Sequence, residues 1–246
     1  RGKRVAFGHG KDIKWDHNSE LIFRYNRNIA PPGSEAAADL EWVPFYVGNR
    51  IYNKENKAEA RWEWNYDFKV IPGEFVFADV ELREASKYGD DFVLVEPHVP
   101  EWKSCAVNKH WPFERYQQVV DLLLRTGVRV KQFSHSKKTL LRGVKPIPSR
   151  DIREAAAALA HAALYVGPEG GLHHAAAAVN TAGVVIFGGF IPPQVTGYSM
   201  HSNITGGAIA CGSLKPCKHC AKAMDRITVE EVHHAAMKHL IKEAVA

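Results

Sequence analysis

The chain has 246 residues, of which 46% are hydrophobic and 24% are charged. This composition is typical of a globular protein and excludes a disordered chain. The length is sufficient for one large domain or two small ones. No apolar run approaches the roughly 18 residues of a membrane-spanning helix, and residues 1–4 do not predict a signal peptide. The net charge of +5 favours anionic partners without choosing among them.

Residues 1–90 contain turn signals and aromatic clusters rather than long helical patterns. A strand is predicted at residues 5–7, where a glycine turn follows, and a second strand at residues 21–23. Aromatic side chains alternate over residues 61–70, which predicts a strand with one aromatic face. We expect this part to be a small domain, with its boundary between residues 90 and 91.

Residues 91–246 alternate between apolar strands and helical patterns. Strands are predicted at residues 92–95, from residue 128, at 163–166 and at 183–187. Helices are predicted at residues 113–124, 151–159, 173–179 and 229–244. Because strand–helix–strand order builds parallel sheets with right-handed crossovers, the predicted fold class is α/β, with a Rossmann-like half-sheet covered by helices.

The segment of residues 165–178 is the strongest candidate for a binding site. A buried strand ends, the glycine-rich loop Gly167-Pro168-Glu169-Gly170-Gly171 follows, and a helix of small residues begins. Open α/β sheets bind ligands at the carboxyl ends of their strands, and the start of a helix suits phosphate. Glu169 offers an oxygen acceptor for ribose hydroxyls or a base edge. The alternative is an ordinary tight turn in which the glycines only relieve strain.

A second candidate segment lies at the start of the helix predicted at residues 113–124. Lys109 precedes the helix and is placed to meet a phosphate as a point charge, and Pro112 lies near the first turn. Taken alone, this segment is better explained with Lys109 as a solvated loop residue and Trp111 as an anchor on the core.

The two segments together resemble motifs of glycosyltransferase family 9, the heptosyltransferase-like enzymes. Residues 109–112, Lys-His-Trp-Pro, are similar to the family's K-x-W-P stretch at a helix start. Residues 167–178 are similar to its later G-x-D-[ST]-G-x-x-H-x-x-A-A stretch. In that stretch Glu169 replaces the aspartate and Gly170 replaces the hydroxyl residue. The resemblance covers residues 91–210.

The resemblance implies a GT-B-like fold of two Rossmann-like domains, here with a reduced N-terminal one. Residues 1–90 would form the acceptor side and residues 91–246 the donor domain. The implied donor is a nucleotide-diphosphate sugar. The donor-binding residues implied by the two motifs are Lys109, Glu169, Gly170, Gly171 and His174.

The family's catalytic base follows the first strand, and Asp12 occupies the corresponding place here, with Asp16 and His9 as substitutes. A carboxylate base makes chemical sense because the acceptor hydroxyl loses its proton as the glycosidic bond forms. Asp12 and Asp16 are equally explained as ordinary turn residues.

The aromatic strand supplies the candidate acceptor-binding residues Trp62 and Trp64, with Arg61 beside them. Flat apolar rings suit the C–H faces of pyranose sugars, and arginine suits acceptor phosphates. An aromatic stripe is more often part of a core or an interface.

Cys211, Cys217 and Cys220 have the spacing C-x5-C-x2-C, whereas Cys105 stands alone. This pattern is not a disulfide framework, so we expect a protein of the reducing cytoplasm. With a fourth ligand the triplet could hold a soft metal ion, but we expect a structural clip.

The predicted function is transfer of a sugar from a nucleotide-diphosphate sugar to a saccharide or lipid-linked acceptor. No cofactor and no catalytic metal are expected, because GT-B enzymes stabilise the leaving diphosphate with helix dipoles and cationic side chains. A glycolipid acceptor implies peripheral membrane contact, and no nucleic-acid signature is visible. Two alternatives stay open: a nucleotide-sugar epimerase or hydrolase on the same scaffold, and a nucleotide- or glycan-binding module without catalysis.

Overall fold

A computed structural model describes residues 2–44, 50–99, 105–134 and 139–243 of the chain. The strands in these ranges are β1 (Arg4–Phe7), β2 (Leu40–Val43), β3 (Asn53–Asn56), β4 (Arg61–Trp64), β5 (Phe92–Val95), β6 (Val130–Ser134), β7 (Lys145–Pro148), β8 (Ala162–Pro168), β9 (Gly183–Ile186) and β10 (His201–Ile204). The helices are α1 (His17–Phe23), α2 (Asp79–Ser86), α3 (Phe113–Arg125), α4 (Ile152–Leu159), α5 (Gly171–Ala178), α6 (Pro193–Thr196), α7 (Lys218–Arg226) and α8 (Val229–Glu243). A 3-10 helix at Ala106–Lys109 precedes α3.

Six of the strands form one parallel sheet in the order β10-β9-β8-β5-β6-β7. All four residues of β5 are buried, as expected for a parallel sheet covered by helices on both faces. Because alternate residues of a strand point to opposite faces, Val93 and Val95 pack with α3 and α8. Phe92 and Leu94 pack with α4 and α5 on the other face. The predicted α/β architecture of this part is confirmed.

The register of the central strands brings the candidate loops to one edge of the sheet. Val95 of β5 lies opposite Val166 of β8, and Pro168 of β8 lies opposite Ile186 of β9. The loops that follow these three strands therefore emerge side by side. This carboxyl edge is where open α/β sheets bind their ligands.

The N-terminal part is built from two small sheets. β1 and β2 pair in parallel beside α1, and β3 and β4 form an antiparallel hairpin. The predicted strand at residues 21–23 is wrong, because these residues end α1. Asp16 caps that helix by accepting from Ser19 N at 2.7 Å, and three apolar residues carry no periodicity that separates strand from helix.

The predicted aromatic strand is shorter than expected: β4 ends at Trp64, and Tyr66 and Phe68 lie outside it. The side chain of Asn65 accepts from the backbone N–H of Asp67 at 3.1 Å, which turns the chain away from the sheet. The hairpin instead pairs with a distant segment, with Trp62 N donating to Gly212 O at 2.8 Å.

The helix α2 precedes the predicted boundary at residues 90 and 91, yet it packs on α4. The buried side chain of Arg153 makes an ion pair with Glu81 at 2.6 Å across that contact. The boundary itself stays a prediction. In the described ranges no helix combines the length and the apolar character needed to cross a membrane.

Candidate functional site

The loop between β8 and α5 leaves open space at the start of a helix. A Cβ atom added to Gly170 or Gly171 would have no neighbour within 4 Å, and neither glycine adopts the left-handed backbone. Strain relief therefore does not explain these two glycines. The first N–H groups of α5 lack intrahelical partners by the geometry of any helix, so the open space above them suits an anion.

Gly167 differs from the other two glycines of the loop. A Cβ atom at this position would lie 2.2 Å from the Tyr165 hydroxyl oxygen and 2.8 Å from the Glu96 carbonyl oxygen. Close packing of β8 against its neighbours explains this glycine, and no ligand is needed.

Lys109 and Glu169, which are 60 positions apart, form an ion pair in this crevice. The 3-10 helix before α3 positions Lys109, and the end of β8 positions Glu169. The side chain of Glu169 is 5% exposed and that of Lys109 is 19% exposed. Burial alone would raise the pKa of Glu169, but the Lys109 ammonium, with His173 and His174 beside it, outweighs this effect and holds the pKa below its usual range. Glu169 is therefore a carboxylate at neutral pH.

His174 lies beside this pair, as the motif implied. Its Nε2 is 4.0 Å from the nearer Glu169 oxygen, and its Nδ1 is 2.8 Å from the Tyr198 hydroxyl. Burial lowers the pKa of His174, so the ring is neutral at pH 7. If the Tyr198 hydroxyl donates to Nδ1, the proton of the ring is on Nε2 and faces the crevice.

His173, which sequence reasoning passed over, fixes the loop from behind. Its ring is fully buried, and Nε2 lies 2.9 Å from Thr196 O. Nδ1 accepts the Gly170 N–H at 2.9 Å. Nδ1 also lies 2.7 Å from Gly170 O, so both backbone groups of Gly170 contact the ring. Burial lowers the pKa of His173, which favours the neutral ring. His173, the third residue of α5, thus holds the backbone of Gly170 at the start of the helix.

An aromatic wall borders the crevice on the side of the β3–β4 hairpin. The Lys109 ammonium lies 5.5 Å from the centre of the Phe190 ring. The Trp64 ring is nearly perpendicular to that ring, with 6.3 Å between the two ring centres. Trp64 therefore lies close to the donor candidates. Trp62 packs against the core cluster beneath the sheet, whereas Arg61 is exposed and pairs with Glu59 at 2.5 Å.

The candidate base residues lie in the turn after β1. Asp12 is exposed and forms an ion pair with Lys14, and His9 is exposed as well. The cap that Asp16 provides for α1 gives that residue a structural role, and its bonds to Ser19 lower its pKa. Asp16 is thus held in the cap of α1, whereas Asp12 is tied only to an exposed lysine side chain among the described residues.

The three clustered cysteines form a compact thiol group. Cys211 and Cys217 lie at the two ends of residues 211–217, which we call the cysteine loop, and Cys220 lies in α7. The Sγ of Cys211 is 3.3 Å from that of Cys220 and 3.8 Å from that of Cys217. Burial would raise the pKa of Cys217, but backbone N–H groups at the start of α7 and the neighbouring thiols lower it. Burial raises the pKa of Cys220.

Among the residues that the structure describes, two groups have the geometry to ligate a cation: the three thiols, and Glu169 with His173 and His174. In the second group both nitrogens of His173 are already in hydrogen bonds, and Glu169 is paired with Lys109. A cation there would have to displace these partners. The thiols contact one another and backbone N–H groups rather than a charged side chain, and sulfur ligands fit a soft ion better.

Glu96 and His98 are further residues at the carboxyl edge that the sequence analysis missed. Glu96 directly follows β5 and is 3% exposed. One of its oxygens lies 2.6 Å from His98 Nδ1, and the other is buried without a hydrogen-bond partner among the described residues. The sequence signal that could have identified Glu96 is a charged residue directly after an apolar strand.

A groove of about 810 Å³ lies elsewhere, between α1, α2 and α4. None of the predicted donor, acceptor or base residues lines it. The crevice at Glu169 is therefore identified by its chemistry and not by its volume.

The comparisons with known proteins agree with the two motifs. The sequence profile of glycosyltransferase family 9 (heptosyltransferase) matches residues 58–228. Lipopolysaccharide heptosyltransferase 1 of Escherichia coli (strain K12) is 27% identical in an alignment of 106 residues that covers 39% of this chain and 33% of that protein. The chain thus spans about a third of the length of this curated relative.

Two solved structures share the fold. The E. coli ADP-heptose lps heptosyltransferase II has a TM-score of 0.51 at 18% identity, over 70% of this chain and 54% of that one. The iron-containing dodecameric glycosyltransferase TibC of enterotoxigenic E. coli H10407 has a TM-score of 0.50 at 17% identity, over 72% and 50% of the two chains. The parallel six-stranded sheet and these neighbours confirm the predicted fold class of GT-B type. Because the profile matches more than half of the chain, this protein belongs to glycosyltransferase family 9.

Proposed function

We propose that this protein transfers a sugar from a nucleotide-diphosphate sugar to a saccharide or glycolipid acceptor. The observation that carries the proposal is the buried Lys109–Glu169 pair beside the open start of α5. A fixed ammonium and free helical N–H groups together suit a diphosphate, and a neighbouring carboxylate suits hydroxyl groups.

In this proposal Lys109 and the first turn of α5 hold the donor diphosphate. They also stabilise the negative charge that develops on it as the bond to the sugar breaks. Glu169 accepts hydrogen bonds from donor hydroxyls, and the Nε2–H of His174 donates to a donor oxygen. Since the heptosyltransferase II neighbour is described as an ADP-heptose enzyme, we expect ADP to bind more tightly than GDP or UDP.

The acceptor side rests on the N-terminal part. Asp12, exposed after β1, would take the proton from the attacking acceptor hydroxyl. Trp64, at the aromatic wall, is placed to cover a sugar ring, with Trp62 and Arg61 along the same strand. A glycolipid acceptor would bring the protein to the surface of a membrane, and its free thiols suit the cytoplasm.

We further propose that transfer needs no metal at the donor site. Lys109 supplies the positive charge there, and a cation bound to Glu169 would have to displace it. The thiols at the cysteine loop act as a structural clip; if they hold a soft ion such as the iron named for TibC, that ion stabilises the loop.

Calorimetric titration with ADP, GDP and UDP tests the donor site. We expect ADP to bind, and the Lys109→Met variant to bind it at least ~10-fold more weakly, because a lost charge-assisted hydrogen bond is worth about 1.5–3 kcal/mol. A matched Lys14→Met variant removes an exposed ammonium elsewhere and should bind as the wild type does. Equal binding by Lys109→Met and the wild type would remove Lys109 from the site.

Product analysis with an ADP-sugar then separates the function classes. Consumption of an added acceptor supports transfer, whereas release of free sugar or of an epimer without acceptor would support a hydrolase or epimerase. Binding with no turnover, unchanged in Asp12→Asn, would indicate a binding module. Activity that is lost in EDTA and restored by Mg²⁺, an ion that thiolates bind poorly, would contradict the metal-free donor site.

A further inference from the structure

The buried side chain of Asn108, next to the donor lysine, is fully engaged in hydrogen bonds. It is 2% exposed. Its Nδ2 donates to Ser213 O at 2.9 Å and to Lys215 O at 2.8 Å, and its Oδ1 accepts from Cys217 N at 2.9 Å. Both amide hydrogens are used, and all three partners are backbone groups of the cysteine loop. One side chain therefore fastens the 3-10 helix to that loop.

The cysteine loop also holds the aromatic wall of the crevice. Cys211 N donates to Gly189 O at 2.9 Å, and Gly212 N donates to Phe190 O at 3.0 Å. These bonds fix the backbone that carries the Phe190 ring, over which the Lys109 ammonium lies. The same short loop thus supports Lys109 through Asn108 and supports Phe190 directly.

We propose that Asn108 is a positioning residue for the donor site. Asn108 holds Lys109 against Glu169 by fastening the 3-10 helix that carries Lys109 to the cysteine loop. This inference rests on the proposed function, since it requires Lys109 to meet the donor diphosphate. A backbone that is fixed before binding loses little conformational freedom when the ligand arrives. Without Asn108 the turn would have to be ordered by the ligand, and donor affinity would fall although the charge of Lys109 is unchanged.

Titration with ADP tests this role. We expect Asn108→Ala to bind ADP about 5-fold or more weakly than the wild type, the effect of one or two lost hydrogen bonds. The matched control is Thr181→Val, which also removes a buried side-chain hydrogen bond, the one that Thr181 Oγ1 donates to Leu159 O at 2.6 Å. Thr181 precedes β9 and lies at the opposite edge of the sheet. This control variant should lose stability and keep its affinity for ADP.

A double-mutant cycle with Lys109→Met separates positioning from general loosening. If Asn108 acts through Lys109, the double variant binds ADP no more weakly than Lys109→Met alone. Additive losses, or an Asn108→Ala protein with wild-type affinity, would overturn the proposal. A wild-type protein that binds no nucleoside diphosphate would instead overturn the proposed function.

Asn108→Ser, which keeps a short hydroxyl, replaces Asn108→Ala in these titrations if the alanine variant does not fold.

Hydrogen exchange gives a readout that needs no ligand. The backbone N–H groups of residues 106–110 should exchange faster in Asn108→Ser than in the wild type or in Thr181→Val. Unchanged exchange in that turn would refute the fastening role.

Discussion

Removing Lys109 should destabilise the fold in a way that depends on pH. In Lys109→Met the Glu169 carboxylate, 5% exposed in the wild type, loses the ammonium that compensates its burial. Breaking a buried ion pair by removing one partner costs about 3–5 kcal/mol. Glu169→Gln should cost less, about 1 kcal/mol, because the Lys109 left behind is 19% exposed and can turn towards water. The double variant Lys109→Met/Glu169→Gln should recover most of the loss.

The sign of the pH dependence follows from Glu169. In the wild type its pKa lies below the usual value of 4.5, so its contribution to stability is present above that value and is lost as the pH falls. In Lys109→Met, burial without compensation raises the pKa, so the folded state is penalised as the pH rises and the carboxylate ionises. The stability difference between wild type and variant should therefore grow from pH 5 to pH 7.

Urea unfolding at the two pH values measures this difference. A Lys109→Met variant that loses less than about 1 kcal/mol at pH 7, or that loses more at pH 5 than at pH 7, would refute the reasoning. Lys14→Met, which removes an ammonium paired with the exposed Asp12, should change stability little at either pH.

Two further predictions concern other parts of the fold. Gly167→Ala should cost several kcal/mol of stability in urea unfolding, because its Cβ would lie 2.2 Å from the Tyr165 hydroxyl oxygen. Gly171→Ala should change stability by no more than about 0.5 kcal/mol. Equal costs would contradict the assignment of open space to the start of α5. Burial lowers the pKa of His201 to about 4 from 6.5. The free energy of unfolding of the wild type should therefore fall by about 3 kcal/mol more than that of His201→Phe between pH 6.5 and pH 4. Parallel pH profiles of the two proteins would show that His201 does not titrate this way.

The sequence predicted the inner strands β5, β6, β8 and β9 because they carry apolar residues, whereas β7 and β10, at the two edges of the sheet, consist mostly of polar residues or prolines and were not predicted. At least one helix start was also recognisable. Asp151 caps α4 by accepting from Arg153 N and Glu154 N, both at 2.9 Å. The sequence signal for this helix start was Asp151 with Glu154 three residues later. The β8–α5 loop was found for the same reason, since a buried strand and a helix of small residues bracket it. Residues 21–23 were assigned to a strand because three apolar residues are too few to show a period.

The parts of the site that the sequence did not reveal depend on contacts between distant segments. Asn108 bonds to a loop more than 100 positions away, and Phe190 and Tyr198 reach the crevice from the region after β9. No local pattern encodes such pairings. The Lys109–Glu169 pair was inferred as two separate donor contacts, and only the structure shows that the two side chains neutralise each other.

The most direct test of the account is the structure of the protein crystallised with ADP. The account predicts the diphosphate at the start of α5, with one phosphate oxygen about 3 Å from the Lys109 ammonium and another at the same distance from a backbone N–H of the first helical turn. Nucleotide bound in the groove between α1, α2 and α4, with the Lys109–Glu169 pair untouched, would contradict it.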